Sequence, residues 1–267
     1  MNNMLEIKNI YKTFNPGTIN EKVALIDVSL TLEEGDFVTV IGGNGAGKST
    51  MLNAVAGVWP IDTGSIVIGG TDVTGLPDYS RAYLIGRVFQ DPMTGTAATM
   101  QIDENMALAA RRGKKRGLGW GVTGKEREEY REKLKILELG LEDRLTAKVG
   151  LLSGGQRQAL TLLMATFQKP KILLLDEHTA ALDPKTAEKV LNATEKVVGR
   201  DHLTTMMITH NMKDAIQHGN RLIMMNEGRI VLDISGEEKK KLTVEDLLHK
   251  FSVATEEEFS NDQALLS

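Results

Sequence analysis

The sequence of 267 residues contains no cysteine, and this absence excludes disulfide bonds and thiolate chemistry. It also lacks an apolar stretch of membrane-spanning length, and its first residues, Met1–Glu6, do not have the pattern of a signal peptide. Positive charge is not in excess, since the formal net charge is −4, so the chain as a whole is not expected to bind nucleic acid electrostatically. A hydrophobic content of 41% is enough for one α/β domain with a sizeable core.

A glycine-rich segment is the first motif that carries chemistry. It follows an apolar run, 37–41, that predicts a buried strand, and it leads into a helix predicted over 49–56. A strand, a glycine loop and a helix in this order form a cradle for the phosphates of a nucleotide. The residues of this phosphate loop, all expected to contact ATP, are Gly42, Gly43, Asn44, Gly45, Ala46, Gly47, Lys48, Ser49 and Thr50.

Two of these residues have specific expected roles. Lys48 would reach the β- and γ-phosphates, and the hydroxyl of Ser49 would bind Mg²⁺. The alternative is a tight turn between a strand and a helix with no ligand. A dinucleotide-binding turn is excluded more firmly, because G-x-G-x-x-G is absent at this position.

Two carboxylates follow a second apolar run. The run 171–175 predicts a strand buried on both faces, and Asp176 and Glu177 come directly after it. At the carboxyl edge of a sheet, Asp176 would hold Mg²⁺ and Glu177 would orient or deprotonate the attacking water. Taken alone, the pair is equally compatible with acids at a helix start.

A third motif, Leu152-Ser153-Gly154-Gly155-Gln156, has the spacing of a capping box at the start of an apolar helix. Its glycines would leave the helix start open to a phosphate. A nucleotide that is already bound by the phosphate loop does not need a second phosphate-binding segment. This segment is therefore expected to contact the nucleotide of a partner subunit. On spacing alone, an ordinary capped helix is the better explanation.

Together these motifs resemble the nucleotide-binding subunit of ABC transporters, across about residues 4–235. The segment Leu152–Gln156, called the signature segment below, reproduces the family signature without a change. The resemblance implies an α/β fold, namely a RecA-like P-loop NTPase core with an antiparallel β subdomain and an inserted helical subdomain. It places the core at about 1–91 and 166–235, the helical subdomain at about 92–165, and a charged tail at 236–267.

The resemblance also implies roles for single residues. Gln90 would join ATP and Mg²⁺ to the interface with the membrane partner, and His210 would contact the γ-phosphate during catalysis alongside Glu177 and Lys48. Asp183 would contact the nucleotide of the partner subunit, as would Ser153, Gly154, Gly155 and Gln156 of the signature segment. Phe14 would stack on adenine, although an aromatic residue in a strand more often serves packing.

The expected function is therefore ATP hydrolysis, with ATP and Mg²⁺ as cofactors, by a head-to-tail homodimer that sandwiches ATP. Its partners would be a separate membrane permease and a solute-binding protein, at the cytoplasmic face of the membrane. A single cassette without a fused membrane domain resembles importer subunits, and the segment 176–184 resembles cassettes for amino acid uptake. The alternative is a soluble ABC ATPase acting in cofactor assembly or on nucleic acid or ribosomes.

Three features stand apart from this assignment. The basic run Arg111–Arg116 is compatible with a solvated loop, with contact to anionic lipid headgroups or, least of all, with nucleic acid. His178 replaces the proline that the family commonly has after the catalytic glutamate, and it is expected to be a solvated loop residue. The tail is expected to end in a disordered stretch near Glu256.

Overall fold

Strands and helices alternate along most of the chain, as expected of an α/β protein. The computed structural model describes residues 3–114 and 121–265. In chain order the elements are β1 (Asn3–Phe14), β2 (Lys22–Glu33), β3 (Phe37–Gly42), α1 (Lys48–Ala56), β4 (Thr63–Ile68), β5 (Thr71–Asp72), α2 (Asp78–Arg81), β6 (Ile85–Val88), α3 (Ile102–Ala110), α4 (Gly124–Lys135), α5 (Gly154–Thr166), β7 (Ile172–Asp176), α6 (Pro184–Asp201), β8 (Thr205–Ile208), α7 (Met212–Gln217), β9 (Arg221–Asn226), β10 (Arg229–Ser235), α8 (Gly236–Lys241) and α9 (Val244–Leu265).

These elements form two compact units. The first unit comprises Met1–Arg81 and Thr204–Ser267, and the second comprises Ala82–Leu203. Strands β6 and β7 therefore group with the helical segment, whereas the sequence assigned them to the α/β core.

The first unit contains two groups of paired strands. Strands β2, β1, β4 and β5 pair side by side in antiparallel fashion, which confirms the expected antiparallel β subdomain. In the second group β3 lies between β8 and β9, parallel to both, and β10 adds to β9 as an antiparallel hairpin. The turn between β9 and β10 has two residues, Glu227 and Gly228, and both have positive φ, as a tight two-residue turn requires.

The second unit combines the parallel pair β6–β7 with helices α3 to α6. Leu173, Leu174 and Leu175 of β7 are completely buried, which confirms that this strand is covered on both faces. Helix α5 packs on α6 and on β6. Within the described ranges, no helix has the length and apolar character needed to cross a membrane.

The carboxyl-terminal tail differs from the expectation. The structure has α8 and a long helix α9 that runs through position 256, so the prediction of disorder there is wrong. Leu242 and Leu247 are buried in an apolar cluster of the first unit, and Phe251 packs against the same cluster. Charged residues stand between these apolar ones, and only a few positions on the apolar face of the helix carry large side chains. The sequence pattern of an amphipathic helix was therefore weak in the tail.

The basic run Arg111–Arg116 lies partly outside the described residues, since Lys115 and Arg116 belong to the gap. The two arginines at its start are half-buried. Arg111 forms an ion pair with Glu126 at 2.6 Å, and burial lowers the pKa of Arg112 below its usual value. These two side chains are therefore not fully solvated, as they would be in a loop that projects into water.

Arg81 is the largest fully buried side chain of the first unit. Its guanidinium donates to the carbonyls of Ala54 and Val55, at the end of α1, at 2.8 and 2.9 Å. It also donates to the carbonyls of Leu76 and Thr74 at 2.8 and 3.2 Å, and burial lowers its pKa. One cation thus satisfies four carbonyls beneath the helix that begins at the phosphate loop.

We expect Arg81→Leu to lower the free energy of unfolding of the first unit by about 3 kcal/mol, because buried carbonyls lose their donor. Urea unfolding followed by Trp59 fluorescence, in a Trp120→Phe background, measures this unit. Lys240→Leu, which removes an exposed cation, is the control and should change the midpoint little. Equal midpoints for Arg81→Leu and the unsubstituted protein would contradict the stabilising role that we assign to Arg81.

Candidate functional site

The phosphate loop and His210 lie at the same sheet edge of the first unit. Val40 of β3 stands opposite Ile208 of the parallel strand β8, so Gly42 and His210 each follow that pair by two residues. The backbone N–H of Thr209 donates to the carbonyl of Val40 at 3.1 Å, which keeps the two strand ends together. Because parallel strands end at a common edge, the loop and the imidazole face the same side of the unit.

The phosphate loop itself presents backbone to solvent. Gly43, Asn44 and Gly45 are exposed, and a Cβ at Gly43 would meet no atom within 4 Å. At Gly42 a Cβ would lie 2.2 Å from the Met225 carbonyl oxygen, and at Gly47 it would lie 2.7 Å from that of Ala24. These two positions also have positive φ, so they need glycine for internal packing. The glycines of the loop therefore have two structural causes: close packing with positive φ at Gly42 and Gly47, and open backbone at Gly43 and Gly45.

Lys48 is 6% exposed and is held by the loop that it serves. Its Nζ donates to the carbonyls of Gly42 and Gly43 at 2.7 and 2.9 Å. Helix α1 starts at this residue behind a left-handed Gly47, which has no side chain with which to cap the first turn. The positive end of the helix and the ammonium therefore act on the same small volume, which suits a polyphosphate.

Phe14 is connected to the loop through β2. It stands opposite Lys22 in the β1–β2 pair, and a Cβ on Gly45 would lie 3.5 Å from the Lys22 Nζ. The ring packs edge-on against Trp59 at 5.4 Å between centroids. Phe14 therefore has the packing role that the sequence left open, and its contact with adenine stays a prediction.

His210 precedes the short helix α7. Asn211 caps that helix, with its side-chain oxygen accepting from the backbone N–H groups of Lys213 and Asp214 at 2.9 and 3.4 Å. Burial raises the pKa of Asp214 above its usual value, while the neighbouring His218 and His210 side chains act in the opposite direction.

The second unit assembles its own edge. Val88 of β6 stands opposite Leu175 of the parallel strand β7. Gln90 follows Val88 by two residues, and Asp176 and Glu177 follow Leu175, so the predicted amide and both carboxylates meet at one edge. Gln90 is exposed, and the Asp176 side chain is 17% exposed.

Two features of this edge could not be read from the motifs. Glu177 has φ +43°, a left-handed conformation that costs a non-glycine residue about 1–3 kcal/mol and is concentrated at functional sites. Arg87 of β6 lies 3.7 Å from the Asp176 carboxylate and stacks on Phe89 at 4.6 Å. The sequence signal for this ion pair is Arg87 itself, because an arginine within an otherwise apolar strand needs a partner for its charge.

The signature segment forms the predicted capping box at the start of α5. Ser153 Oγ accepts from the Gln156 N–H at 3.3 Å, and the Gln156 side chain accepts from the Ser153 N–H at 3.2 Å. Ser153 and Gly154 are exposed, so this helix start is open. Gly155 is instead buried, since a Cβ there would lie 2.1 Å from the Thr186 Cγ2 of α6. The second glycine is therefore required for the packing of α5 on α6, and its contact with a partner's nucleotide stays a prediction.

Asp183 and His178 follow the carboxylates. Asp183 caps α6 as predicted, and its hydrogen bond with Thr186 lowers the pKa of the Asp183 carboxyl. His178 is only 2% exposed, and its Nε2 lies 3.1 Å from the Thr194 Oγ1. The expectation of a solvated histidine is therefore wrong, because α6 covers the ring and supplies a polar partner.

Candidate ligands for a metal are few. Among the described residues, no three histidine, cysteine, aspartate or glutamate side chains group as a metal site. The predicted donors are the exposed Ser49 hydroxyl in the first unit, and the Gln90 amide and Asp176 carboxylate in the second. All are oxygen donors, the type that Mg²⁺ prefers when phosphate oxygens and water complete its shell.

Comparison with known proteins agrees with this geometry. The ABC transporter family matches residues 25–180. The chain is 45% identical over 256 residues to the tyrosine transport ATP-binding protein of Clostridioides difficile (strain R20291), covering 94% of this chain and 100% of that protein. It is 33% identical to the spermidine/putrescine import ATP-binding protein PotA of Haemophilus influenzae, covering 88% of this chain and 59% of that protein.

A solved structure is also similar. The ATP-binding cassette MJ0796, determined as a dimer in a post-hydrolysis state bound to ADP and Pi, superposes with a TM-score of 0.73. It is 32% identical and covers 87% of this chain and 98% of that one. The chain therefore belongs to the ABC transporter family, and its fold is that of an ABC ATPase cassette. It is an ATP-binding, ATP-hydrolysing subunit of a kind that forms dimers and works with membrane permeases.

The two open helix starts have separable effects. Lys48→Ala should raise the Kd for ATP by about tenfold to a hundredfold, because it removes a charged hydrogen bond to phosphate. Ser153→Arg should leave ATP binding to the monomer nearly intact, because Ser153 lies outside the phosphate loop. It should abolish hydrolysis, because Ser153 is expected to contact the nucleotide of a partner subunit. Fluorescent-nucleotide titration and phosphate release measure both effects, with Ser153→Ala as the size control.

Mixing the two variants tests whether the helix starts meet in a dimer. A head-to-tail heterodimer of Lys48→Ala with Ser153→Arg carries both lesions at one site and leaves the other intact. Phosphate release by purified heterodimers should therefore exceed that of either variant alone. Activity no higher than that of the two variants would count against shared sites.

Proposed function

We propose that the chain powers the import of an aromatic amino acid through a separate membrane permease. The observation that carries the solute class is the 45% identity to a tyrosine transport subunit along that protein's whole length. The polyamine-import relative is 33% identical, and the chain spans 59% of it. Amino acid uptake is therefore the better supported class, and it agrees with the resemblance carried by residues 176–184.

Nucleotide binding is assigned to the first unit. The exposed backbone of Gly43 and Gly45 and the start of α1 receive the phosphates, and Lys48 exchanges its loop carbonyls for phosphate oxygens. Phe14 offers its ring to adenine. Mg²⁺, when bound, would neutralise phosphate charge, and Ser49 is the donor that this unit offers to it, while Gln90 and Asp176 are the donors that the second unit offers.

Two groups are assigned to hydrolysis, Glu177 at the carboxylate edge of the second unit and His210 in the first unit. Glu177 accepts a proton from the attacking water. His210 donates a hydrogen bond to the γ-phosphate. Asp176 lies 3.7 Å from Arg87, so that cation balances the charge of the carboxylate, which would also be a ligand for Mg²⁺.

A second copy of the chain completes each site. Each chain has one phosphate loop and one signature segment, and Ser153 and Gly154 are exposed at an open helix start. We assign this surface, with Gln156 and Asp183, to the nucleotide of the partner in a head-to-tail dimer. Gln156 already donates to the Leu139 carbonyl at 3.3 Å, so its contribution is to shape the segment from within.

The permease is assigned to the segment that follows Gln90. Met93 is 48% exposed in this segment, and methionine suits an adaptable apolar contact. Ala97 is held by Asn105, which receives its N–H at 2.8 Å and donates to its carbonyl at 3.1 Å. A flexible loop is the bland alternative, but this anchoring gives the segment a defined shape. The complex would lie at the cytoplasmic face, with a solute-binding protein on the other side.

Uptake by the reconstituted complex tests the solute class. The chain is coexpressed with the permease and solute-binding protein encoded beside it, and the complex is placed in proteoliposomes with internal ATP. Radiolabelled tyrosine should accumulate, phenylalanine should compete, and spermidine should not. Uptake of spermidine alone would overturn the proposal. Copurification of a cytosolic assembly in place of a permease would favour the soluble-ATPase alternative.

The chemical step has its own prediction. Glu177→Gln should lower kcat for ATP hydrolysis by a factor of about 10² to 10⁴, because the base is lost while the shape is kept. ATP binding should persist, and the variant should accumulate as an ATP-bound dimer, measured by size-exclusion chromatography. Glu188→Gln, on the exposed face of α6, is the matched control. Normal turnover by Glu177→Gln would remove Glu177 from the mechanism.

Coupling to the permease is tested at the docking segment. Met93→Glu and Ala97→Arg should reduce uptake in proteoliposomes by about tenfold or more, since a buried unpaired charge costs several kcal/mol at an interface. ATPase activity of the isolated subunit should stay within about twofold, because the substitutions lie outside the phosphate loop. Met93→Leu should behave as the parent. Unchanged uptake with both charged variants would refute the docking assignment.

A further inference from the structure

Helix α7, which follows His210, is too short to hold its own position. It has six residues, and isolated helices of that length are not stable in water. Its place in the first unit is therefore set by contacts from other elements. Any contact that moves α7 also moves Asn211, its cap, and with it the adjacent His210.

The first anchor of α7 comes from the strand that leads into the phosphate loop. The Thr39 hydroxyl of β3 donates to the carbonyl of Ala215 at 2.9 Å in a buried position. The turn after the helix also abuts β3, because a Cβ on Gly219 would lie 2.2 Å from the Phe37 carbonyl oxygen. One side of α7 is thus tied to the strand that ends at Gly42.

The second anchor comes from the carboxyl-terminal segment. Lys239 of α8 is 2% exposed, and its Nζ donates to the carbonyls of His218 and Gly219, the latter at 2.8 Å. These carbonyls lie just beyond the end of α7, where the negative end of the helix dipole favours a cation. A buried ammonium is costly unless it is fully hydrogen-bonded, so a position for it here indicates a specific task.

Apolar contacts reinforce this anchor. Leu242 and Leu247, which follow Lys239, are buried in the same cluster as Ala215 of α7 and Ile41 of β3. Ile41 immediately precedes Gly42. The carboxyl-terminal helices therefore touch both the helix after His210 and the strand before the phosphate loop.

We propose that Lys239 is a positioning residue for ATP hydrolysis. By fixing the carboxyl end of α7 it holds His210 in register with the phosphate loop, so that α8 and α9 belong to the hydrolytic apparatus of the first unit. The inference rests on the proposed contact of His210 with the γ-phosphate, and it adds the element that keeps the imidazole in place.

Three variants test this role. Lys239→Met keeps the length of the side chain and removes the ammonium, Lys239→Arg restores a cation, and Lys240→Met removes the exposed neighbouring lysine as a control. We expect Lys239→Met to lower kcat by about tenfold with KM for ATP changed by less than about twofold, since losing a hydrogen-bond donor to transition-state charge costs a factor of about 10² to 10³ and a displaced donor costs less. Lys239→Arg should recover most of the loss, and Lys240→Met should match the parent.

The imidazoles supply a readout that a merely structural role would not move. The chain has five histidines, so their side-chain signals can be resolved and assigned by NMR. Lys239→Met should shift the signals of His210 and His218 and leave those of His178 and His202, in the second unit, in place. A shift of all five signals, or unchanged kcat with an unshifted His210, would overturn the proposal.

A double substitution separates this proposal from the role of His210. His210→Ala alone tests the proposed γ-phosphate contact, and normal turnover would reject that contact whatever Lys239 does. If His210→Ala is impaired, adding Lys239→Met should cause little further loss of kcat, because Lys239 acts through His210. A multiplied loss in the double variant would show that Lys239 acts by another route and would overturn the positioning role.

Discussion

Parallel strand pairing is the constraint on which the chemistry of both units depends. Val40 opposite Ile208 brings the phosphate loop and His210 to one edge of the first unit. Val88 opposite Leu175 brings Gln90 and the two carboxylates to one edge of the second. A slip of one residue would reverse the direction of every side chain that follows. The buried β-branched and leucine residues of these strands prevent such a slip, so apolar packing at the centre of each unit determines where its polar groups emerge.

Helices α1 and α5 both begin with exposed backbone, but the local chemistry of the two helix starts differs. At α1 the backbone turns through a left-handed Gly47, and no side chain competes for the first N–H groups. At α5 the Ser153 and Gln156 side chains satisfy part of the helix start, and the exposed Gly154 leaves the rest accessible. The first arrangement is specialised for a strongly held polyphosphate. The second suits a ligand that arrives and leaves with a partner.

Local patterns predicted much of this protein, and contacts between distant residues account for what they missed. The glycine loop, the capping box, the Asp183 cap and the 226–229 hairpin depend on neighbours within a few residues, so the sequence displays them directly. Arg87 and Asp176 are far apart in sequence, as are His178 and Thr194, and their pairing required the fold. The tail was misread for the same reason. Leu242 and Leu247 are unremarkable until Ile41 and Ala215 are placed beside them.

The contact between Gly155 and Thr186 has a mechanical consequence. With no room for even one carbon between α5 and α6, the two helices cannot slide past each other at this point without a collision. Thr186 is also the residue whose N–H binds the Asp183 cap. A rotation of α5 therefore moves Asp183 as well, so that the signature segment and Asp183 move as one rigid part. The two contacts that we propose for a partner's nucleotide, at the signature segment and at Asp183, would then form and break together.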